Sequence, residues 1–169
     1  MRGWTRILGI DPGFRVTGYG ILDTDGQQSR FVSAGTIAAI KGPTPAGRLQ
    51  IIFESVQSIL ATHAPQEMAV ESVFVHRNPS SALKLGQARS AAICASFDHN
   101  LEVYEYAPRE VKQAVVGKGS ASKEQVAHMV KVLLNYSGDL PLDASDALGI
   151  ALCHAHSRNA EQRLAGAAQ

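Results

Sequence analysis

Four carboxylates stand at positions from which side chains commonly project at the edge of a folded core. Asp11 ends an apolar run directly before a Pro-Gly turn, and Glu71 ends a second apolar run. Asp143 and Asp146 are three residues apart, a spacing that places both on one face of a helix. Carboxylates gathered without matching cations repel one another, which raises their pKa values or requires a counter-ion. A divalent metal ion is the simplest such counter-ion.

The ligand chemistry of these acids narrows the choice of metal. A set of oxygen ligands favours Mg²⁺ or Mn²⁺ over zinc. Two such ions about 3.5 to 4 Å apart can activate a water and stabilise the leaving oxygen in phosphodiester hydrolysis. Taken singly, each acid has a plainer interpretation, since an Asp before Pro-Gly is usually a turn residue and an Asp near a helix start is usually a cap or dipole partner. From the residues alone, both interpretations stay open.

The elements that would position these acids follow from the spacing of the apolar residues. Short apolar runs predict strands, of which the first three form an antiparallel meander, and helical spacing predicts helices between and after them. We expect the first and fourth strands to be parallel neighbours, with Asp11 and Glu71 at adjacent carboxyl ends. The predicted order is βββαβαβ followed by helices, with strands at 6–11, 16–22, 30–37, 68–71 and 101–106, helices at about 45–60 and 80–97, and later helices starting at Ser122 and Pro141.

The chain has the length and composition of one domain, with 169 residues of which 45% are hydrophobic and 18% charged. It lacks both the roughly 18 consecutive apolar residues of a membrane span and the apolar stretch of a signal peptide, so we expect a soluble, cytoplasmic protein. Cys94 and Cys153 lie among apolar residues, which predicts reduced core side chains. We expect a single domain over 1–157 and a flexible tail over 158–169.

The total charge at first disfavours a nucleic-acid partner, because 16 Lys and Arg against 15 Asp and Glu leave only +1. The distribution of charge reverses that inference. If four acids belong to a metal site, 16 basic residues face 11 acids, an excess of +5. Residues 76–131 hold eight basic side chains against five acids. Within them, the glycine-containing stretch 111–123 brings three lysines to a helix N-terminus, a good arrangement for phosphate oxygens.

Five stretches of this sequence resemble the RuvC family of Holliday-junction resolvases, in order and over nearly the whole chain. They are ILGIDPGFRVTGYGIL, AVESVFVHRN, SALKLGQARSAAI, EYAPREVKQAVVGKGSASKEQVAHMV and DASDALGIALCHAH. The resemblance implies an α/β, ribonuclease H-like fold with a five-stranded mixed sheet flanked by helices. It also implies a homodimer that makes paired, Mg²⁺-dependent nicks in four-way DNA junctions during recombination and repair.

The resemblance further implies roles for particular residues. Asp11, Glu71, Asp143 and Asp146 would be the catalytic metal ligands, holding two Mg²⁺ ions for which Mn²⁺ can substitute. A branch-migration complex of RuvA and RuvB would be a partner. Small residues around Gly86 favour a two-fold interface along the helix that contains them.

Several basic and aromatic residues are expected to contact DNA. The expectation rests on their positive charge or aromatic ring together with the family resemblance. Lys112 and Lys123 are expected near the scissile phosphate, and their alternative is a solvated loop and a first-turn helix residue. Phe74 is expected to stack on an unpaired base at the crossover, and its alternative is a core position. His154 is either a neighbour of the metal ligands or a core residue. The proposed DNA contacts are Phe74, Arg77, Lys84, Arg89, Lys112, Lys118 and Lys123.

Two other functions fit parts of the sequence. An Asp-Pro-Gly turn beside a meander is also typical of actin-like ATPases and sugar kinases, but these enclose their nucleotide with a second domain that we do not expect in 169 residues. A non-catalytic nucleic-acid scaffold would have no need for four gathered carboxylates. The sequence therefore favours a structure-selective DNA endonuclease.

Overall fold

A five-stranded mixed sheet with helices on both faces forms the centre of the molecule, a computed structural model that describes residues 3–72 and 78–167. The strand order across the sheet is β3-β2-β1-β4-β5. The first three strands form an antiparallel meander, and the last two run parallel to the first. The predicted sheet is confirmed, with strands β1 (Thr5–Asp11), β2 (Thr17–Thr24), β3 (Ser29–Ile37), β4 (Glu67–Glu71) and β5 (Glu102–Tyr106).

The helices divide between the two faces of the sheet. Alternate residues of a strand point to opposite faces, so Leu8 and Ile10 of β1 pack in a buried cluster with the first two helices. Ile7 belongs to the cluster formed with the last three helices, and Asp11 shares its face. The helices are α1 (Pro45–His63), α2 (Pro79–Cys94), α3 (Pro108–Val116), α4 (Lys123–Leu133) and α5 (Leu142–Ala167), with 3₁₀ turns at Ala39–Lys41 and Phe97–His99.

Glycines let α5 lie against the backbone of β1 and β2. A Cβ on Gly18 would fall 1.9 Å from the carbonyl oxygen of Asp143, and one on Gly9 would fall 2.1 Å from that of Ala147. Contacts this short do not occur, so a side chain at either position would push α5 away. Glycines at 18 and 20 within a strand predict close packing or a bulge. Close packing is observed at both, since a Cβ on Gly20 would lie 2.6 Å from Cγ of Leu148, and it holds the first turn of α5 at the carboxyl end of β1.

Residues typical of helix N-caps precede α1 and α4 in the sequence, and they act as caps in the structure. Thr44 caps α1, its hydroxyl accepting a hydrogen bond from the Gly47 amide at 3.0 Å. Ser122 and Gln125 form a reciprocal capping box at the start of α4, with bonds of 3.2 and 2.9 Å. The carbonyl of Pro141 accepts the first bond of α5.

Three local predictions are corrected. Helix α2 ends at Cys94, and a 3₁₀ turn replaces its predicted last turn. Cys153 is buried, but Cys94 is exposed because it lies on the outer side of α2, so its assignment to the core is wrong. The Asp-Pro-Gly turn signature predicts a positive φ at Gly13, but Gly13 does not adopt one. It is required for space, because a Cβ there would lie 2.0 Å from the Val16 carbonyl.

Helix α3 was absent from the predicted elements, although its end signals are present in the sequence. Pro108 begins the helix, and the Glu110 carboxylate accepts a hydrogen bond of 2.6 Å from the amide of Ala107. Gly117 ends it in the left-handed conformation, with φ of 80°. Lys112 therefore lies on a helix and not in a solvated loop.

The C-terminal end of the described chain is helical, since 158–167 continue α5. The flexibility expected of residues 158–169 stays a prediction. Among the helices of the described ranges, none is long and apolar enough to cross a membrane.

Candidate active site

Asp11 and Glu71 end two adjacent parallel strands. The register pairs Ile10 of β1 with Val70 of β4, so the next residue on each strand is one of the two acids. Both acids point to the face covered by the last three helices, because they share the alternation of Ile7 and Ala69 in that cluster. The sheet thus places two carboxylates side by side at its carboxyl edge, as the sequence predicts.

Helix α5 brings the other two acids to the same edge. Gly18 lies opposite Asp11 in the antiparallel register, and the backbone of Asp143 rests on that glycine. Asp146 follows on the same face of the helix, and its side chain is only 18% exposed. All four predicted acids therefore converge at the junction of β1, β4 and the first turn of α5.

A pocket of about 200 Å³ opens at this junction. It is lined by the carboxylates of Asp11, Glu71 and Asp146 and by Lys112 of α3 and Lys123 of α4. The remaining lining is apolar and is supplied by Pro108, Val111 and Val126. The carboxylates suit a cation, and the lysines suit the oxygens of a phosphate.

The electrostatics of the pocket show how strongly the acids interact. Burial and the neighbouring charges of Glu71, Asp146 and Asp143 raise the pKa of Asp11 to about 8. Burial and the charge of Asp146 also raise the pKa of Glu71, while Lys123 and Lys112 oppose that rise. In the absence of a bound cation, Asp11 therefore holds a proton at neutral pH.

Lys123 partly compensates the acids. Its Nζ lies 3.2 Å from Oδ2 of Asp146, and that carboxylate raises the pKa of the lysine. The lysine side chain is 63% exposed and reaches the pocket from the first turn of α4. A single exposed ammonium group leaves most of the negative charge unbalanced.

The donor set fits a hard divalent cation, because every acidic ligand is a carboxylate and the site carries excess negative charge. Within residues 3–72 and 78–167, no three His, Cys, Asp or Glu side chains are arranged to hold a metal ion as they stand. Mutual repulsion keeps uncompensated carboxylates apart. A cation would therefore draw these side chains together and replace the proton of Asp11.

The loop after Asp11 is tied in place by a buried threonine. The hydroxyl of Thr17 accepts a hydrogen bond from the Gly13 amide at 3.1 Å and donates one to the Gly13 carbonyl at 2.9 Å. Phe14, in the same loop, lies beneath the cations of Arg48 and Lys84, whose charged ends are 5.2 and 6.0 Å from the ring centroid. This aromatic and basic surface adjoins the strand that ends at Asp11. Phe14 and Arg48 are not among the DNA contacts predicted from the sequence.

The remaining predicted DNA contacts have different surroundings. Phe74 and Arg77 lie outside the described residues. Lys84 and Lys118 are exposed, on α2 and after α3 respectively. Arg89 forms an ion pair with Glu105 of β5, and its side chain is largely buried, so its guanidinium already has a partner.

His154 does not line the acidic pocket. It is buried further along α5, where its two ring nitrogens contact Tyr106 and Glu67. The contact with Glu67 joins residues 87 positions apart and has no local sequence signature.

Comparisons with known proteins agree with this architecture. The family model described as crossover junction endodeoxyribonuclease RuvC matches residues 7–154. The protein of that name from Methylococcus capsulatus is 58% identical over 160 residues, which cover 95% of this chain and 96% of the relative. The one from Alkalilimnicola ehrlichii is 50% identical over 159 residues, covering 94% and 96%.

Solved structures extend the similarity to the fold. Thermus thermophilus RuvC in complex with a Holliday junction substrate is similar with a TM-score of 0.87 at 33% identity, covering 93% of this chain and 96% of that one. Another structure of Thermus thermophilus RuvC is similar with a TM-score of 0.84, also at 33% identity. The match of the family model across most of the chain, together with relatives at half or more sequence identity, shows that this chain belongs to the RuvC family of crossover junction endodeoxyribonucleases.

Proposed function

We propose that this chain is a divalent-metal-dependent endonuclease that resolves four-way DNA junctions by paired, symmetric nicks during recombination and repair. The observation that carries the proposal is the convergence of Asp11, Glu71, Asp143 and Asp146 at one edge of the sheet, beside two lysines. Membership of the RuvC family supplies the reaction class.

Mg²⁺ is the proposed cofactor, two ions in each site, and Mn²⁺ is the proposed substitute. When bound between carboxylates, such ions activate a water for attack on the phosphate and stabilise the departing 3′ oxygen. The four acids would be the protein ligands, and Asp11 must release its proton to serve as one. The electrostatics of the pocket support this role, because burial and neighbouring acids raise the pKa of Asp11 and a cation would offset that rise.

The two pocket lysines would hold the scissile phosphate. Lys112 and Lys123 line the same pocket as the acids, so a phosphate bound there would meet their ammonium groups. Lys123 must then exchange its contact with Asp146 for the phosphate oxygens. Pro108, Val111 and Val126 limit access of bulk water, which strengthens each charge interaction inside the pocket.

A wider basic surface would carry the arms of the junction. Lys84 beside Phe14, and Lys118 after α3, lie exposed on either side of the pocket elements and are proposed as phosphate contacts. Phe74 and Arg77 are proposed to contact the crossover. For Arg89 the ion pair with Glu105 must be exchanged or shared for a DNA contact to form. Selectivity for junctions would come mainly from DNA shape and deformability.

A second copy of the chain is proposed to cover the outer face of α2. Leu83 there is 70% exposed, beside an open groove of about 840 Å³ that includes Gly86, Ser90 and Cys94. Leu83 is a large apolar side chain among these small residues, and one chain leaves it uncovered. Such a surface suits a close contact between helices across a two-fold axis. A homodimer would present two identical pockets to a nearly two-fold symmetric junction. We also propose a cytoplasmic location and cooperation with the RuvA and RuvB proteins.

The direct test of substrate choice compares a synthetic four-way junction with a linear duplex of the same sequence. We expect paired nicks in the junction with Mg²⁺ or Mn²⁺, no cleavage in EDTA, and junction binding that survives in EDTA. Equal cleavage of the linear duplex would contradict junction selectivity. ATP hydrolysis without DNA cleavage would support the kinase-like alternative, which no feature of the described site favours.

A further inference from the structure

Helix α5 and strand β4 are joined by polar contacts at the end remote from the acidic pocket. Nε2 of His154 lies 2.8 Å from Oε2 of Glu67, the first residue of β4. One helical turn later, Nε of Arg158 donates to the other oxygen of Glu67 at 2.9 Å. Both oxygens of one carboxylate are therefore bound by the same helix.

The histidine is fixed in orientation. Its side chain is 3% exposed, its ring stacks on Tyr104 with centroids 4.2 Å apart, and its Nδ1 lies 2.7 Å from the hydroxyl of Tyr106. An ionised carboxylate only accepts hydrogen bonds, so Nε2 donates to Glu67. A buried, hydrogen-bonded ion contact of this kind resists displacement more than an exposed one.

The two elements run in opposite directions and have matched lengths. From Glu67 to Glu71 the strand advances about 13 Å, at about 3.3 Å per residue. From Asp146 to His154 the helix advances about 12 Å, at about 1.5 Å per residue. The contact at Glu67 therefore lies at one end of the same pair of elements whose other end carries Glu71 and Asp146.

The packing between these ends brings helix and sheet close together. Small buried residues lie where α5 crosses the sheet, namely Gly9 and Ala69 on the strands and Ala147 and Ala151 on the helix. Large side chains of α5, among them Leu148 and Leu152, lie in the same buried cluster. Apolar contacts of this kind are not directional, whereas hydrogen bonds are, so the bonds to Glu67 add a directional restraint at the far end of the pair.

We propose that His154, bound to Glu67 and supported by Arg158, is a positioning residue that fixes where α5 lies along β4 and so sets the separation of Asp146 from Glu71. The inference rests on the proposed metal-dependent function. His154 touches neither substrate nor metal in this role. It acts through the helix that carries two of the four acids.

The test measures Mn²⁺ affinity of the DNA-free protein by calorimetry. His154→Phe keeps the stacked ring and removes both nitrogens, and we expect about tenfold weaker Mn²⁺ binding, the size typical of losing a residue that orients metal ligands. His154→Gln restores a donor and should recover part of that loss. Glu67→Gln, a milder change, should weaken binding in the same direction. Junction affinity in EDTA should change less than twofold in all three.

Arg6→Gln is the matched control for lost stability. The Arg6 side chain bridges Asp23 and the carbonyl of His63, a partly buried contact that does not involve α5. The bonds between Arg6 and Gln66, beside β4, come from the Arg6 backbone and are kept in this variant. Its loss should lower the melting temperature and leave Mn²⁺ affinity unchanged. Wild-type affinity in both His154→Phe and Glu67→Gln would overturn the inference, and Glu67→Gln decides alone if His154→Phe does not fold. Failure of the wild type to bind Mn²⁺ would instead count against the proposed function.

Discussion

At the scale of the residue, Asp11 determines the chemical state of the pocket. Burial and three neighbouring acids raise its pKa to about 8, and Lys123 offsets only part of that effect. A proton therefore occupies the metal-free site at neutral pH, and metal binding must release it. The same carboxylate also links the site to stability, because the folded chain binds a proton that the unfolded chain gives up near pH 4.

The sign of this linkage gives a first prediction. Between about pH 5 and 8 the folded, metal-free protein binds more protons than the unfolded chain, so the free energy of unfolding should fall as pH rises. The slope from one proton is at most about 1.4 kcal/mol per pH unit. Glu71, whose pKa is also raised, adds a contribution of the same sign. Urea unfolding in EDTA at several pH values measures it, and Asp11→Asn should flatten the curve.

Asp25→Asn is the control for that experiment. Backbone hydrogen bonds from Gln27 and Gln28 lower the pKa of Asp25, so this hairpin acid keeps its charge throughout the interval in both states. The Asp25 variant should therefore keep the wild-type slope. A flat wild-type curve, or a slope unaltered in Asp11→Asn, would show that the folded protein does not hold the proton assigned to Asp11.

At the scale of the element, the site depends on how closely α5 approaches the sheet. Gly18 pairs with Asp11 in the register of β1 and β2 and also supports the backbone of Asp143. No side chain fits between strand and helix at this point. The positions of Asp143 and Asp146 on α5 thus depend on the lack of a side chain at Gly18 of β2.

Gly18→Ala should therefore affect stability and activity together. Its Cβ would meet the Asp143 carbonyl at 1.9 Å, and relief of such a clash requires the first turn of α5 to move. We expect a loss of about 1 to 3 kcal/mol in the free energy of unfolding, with a lower rate of junction cleavage. Urea unfolding and single-turnover cleavage measure the two effects.

Gly149→Ala provides a control on the same helix. Its Cβ would make ordinary contacts at 3.5 Å with Val111 and Val126, and replacing a helical glycine by alanine adds about 0.5 to 1 kcal/mol of stability. This variant should be at least as stable as the wild type and should cleave normally. Wild-type stability and cleavage in Gly18→Ala would mean that α5 does not need its close approach.

Sequence patterns predict most of the strands, helices and acidic residues of the site, but not all of them. The strand ends at Asp11 and Glu71 and the spacing of Asp143 and Asp146 predict the acidic site, because local patterns position each residue and parallel strands bring their ends together. Helix α3 escapes prediction because its nine residues bury only Val111 and Val115, too short an apolar pattern to register. The contact of His154 with Glu67 depends on tertiary packing alone, as does the placement of Lys112 in the pocket wall.

At the scale of the whole molecule, charge and exposed apolar surface are separated. The acids converge at one edge of the sheet, two lysines line the same pocket, and Leu83 is exposed on the outer face of α2. A net charge of +1 thus averages over an acidic cluster and the basic residues around it. The face of α2 remains the surface proposed for a second copy.

Leu83→Asp should convert a dimer to a monomer. Burying two charged side chains beside the two-fold axis is unfavourable unless each finds a partner, while the exposed position leaves the folding of one chain unaffected. Sedimentation velocity should show a dimer for the wild type and a monomer for the variant, and junction cuts should lose their pairing. Val132→Asp, at an apolar position on α4 that is 56% exposed, should remain dimeric. A dimeric Leu83→Asp would place the interface elsewhere.

The proposed function requires that the four converging acids hold the metal on which junction cleavage depends. Asp146→Asn removes one charged ligand, while its amide keeps the size of the side chain and a hydrogen bond to Lys123. We would measure the single-turnover rate on a synthetic four-way junction in Mg²⁺, with junction affinity measured in EDTA. We expect retained binding with cleavage slowed by at least about a hundredfold, the scale of losing one group that stabilises transition-state charge. Cleavage at the wild-type rate would show that Asp146 does not hold the metal.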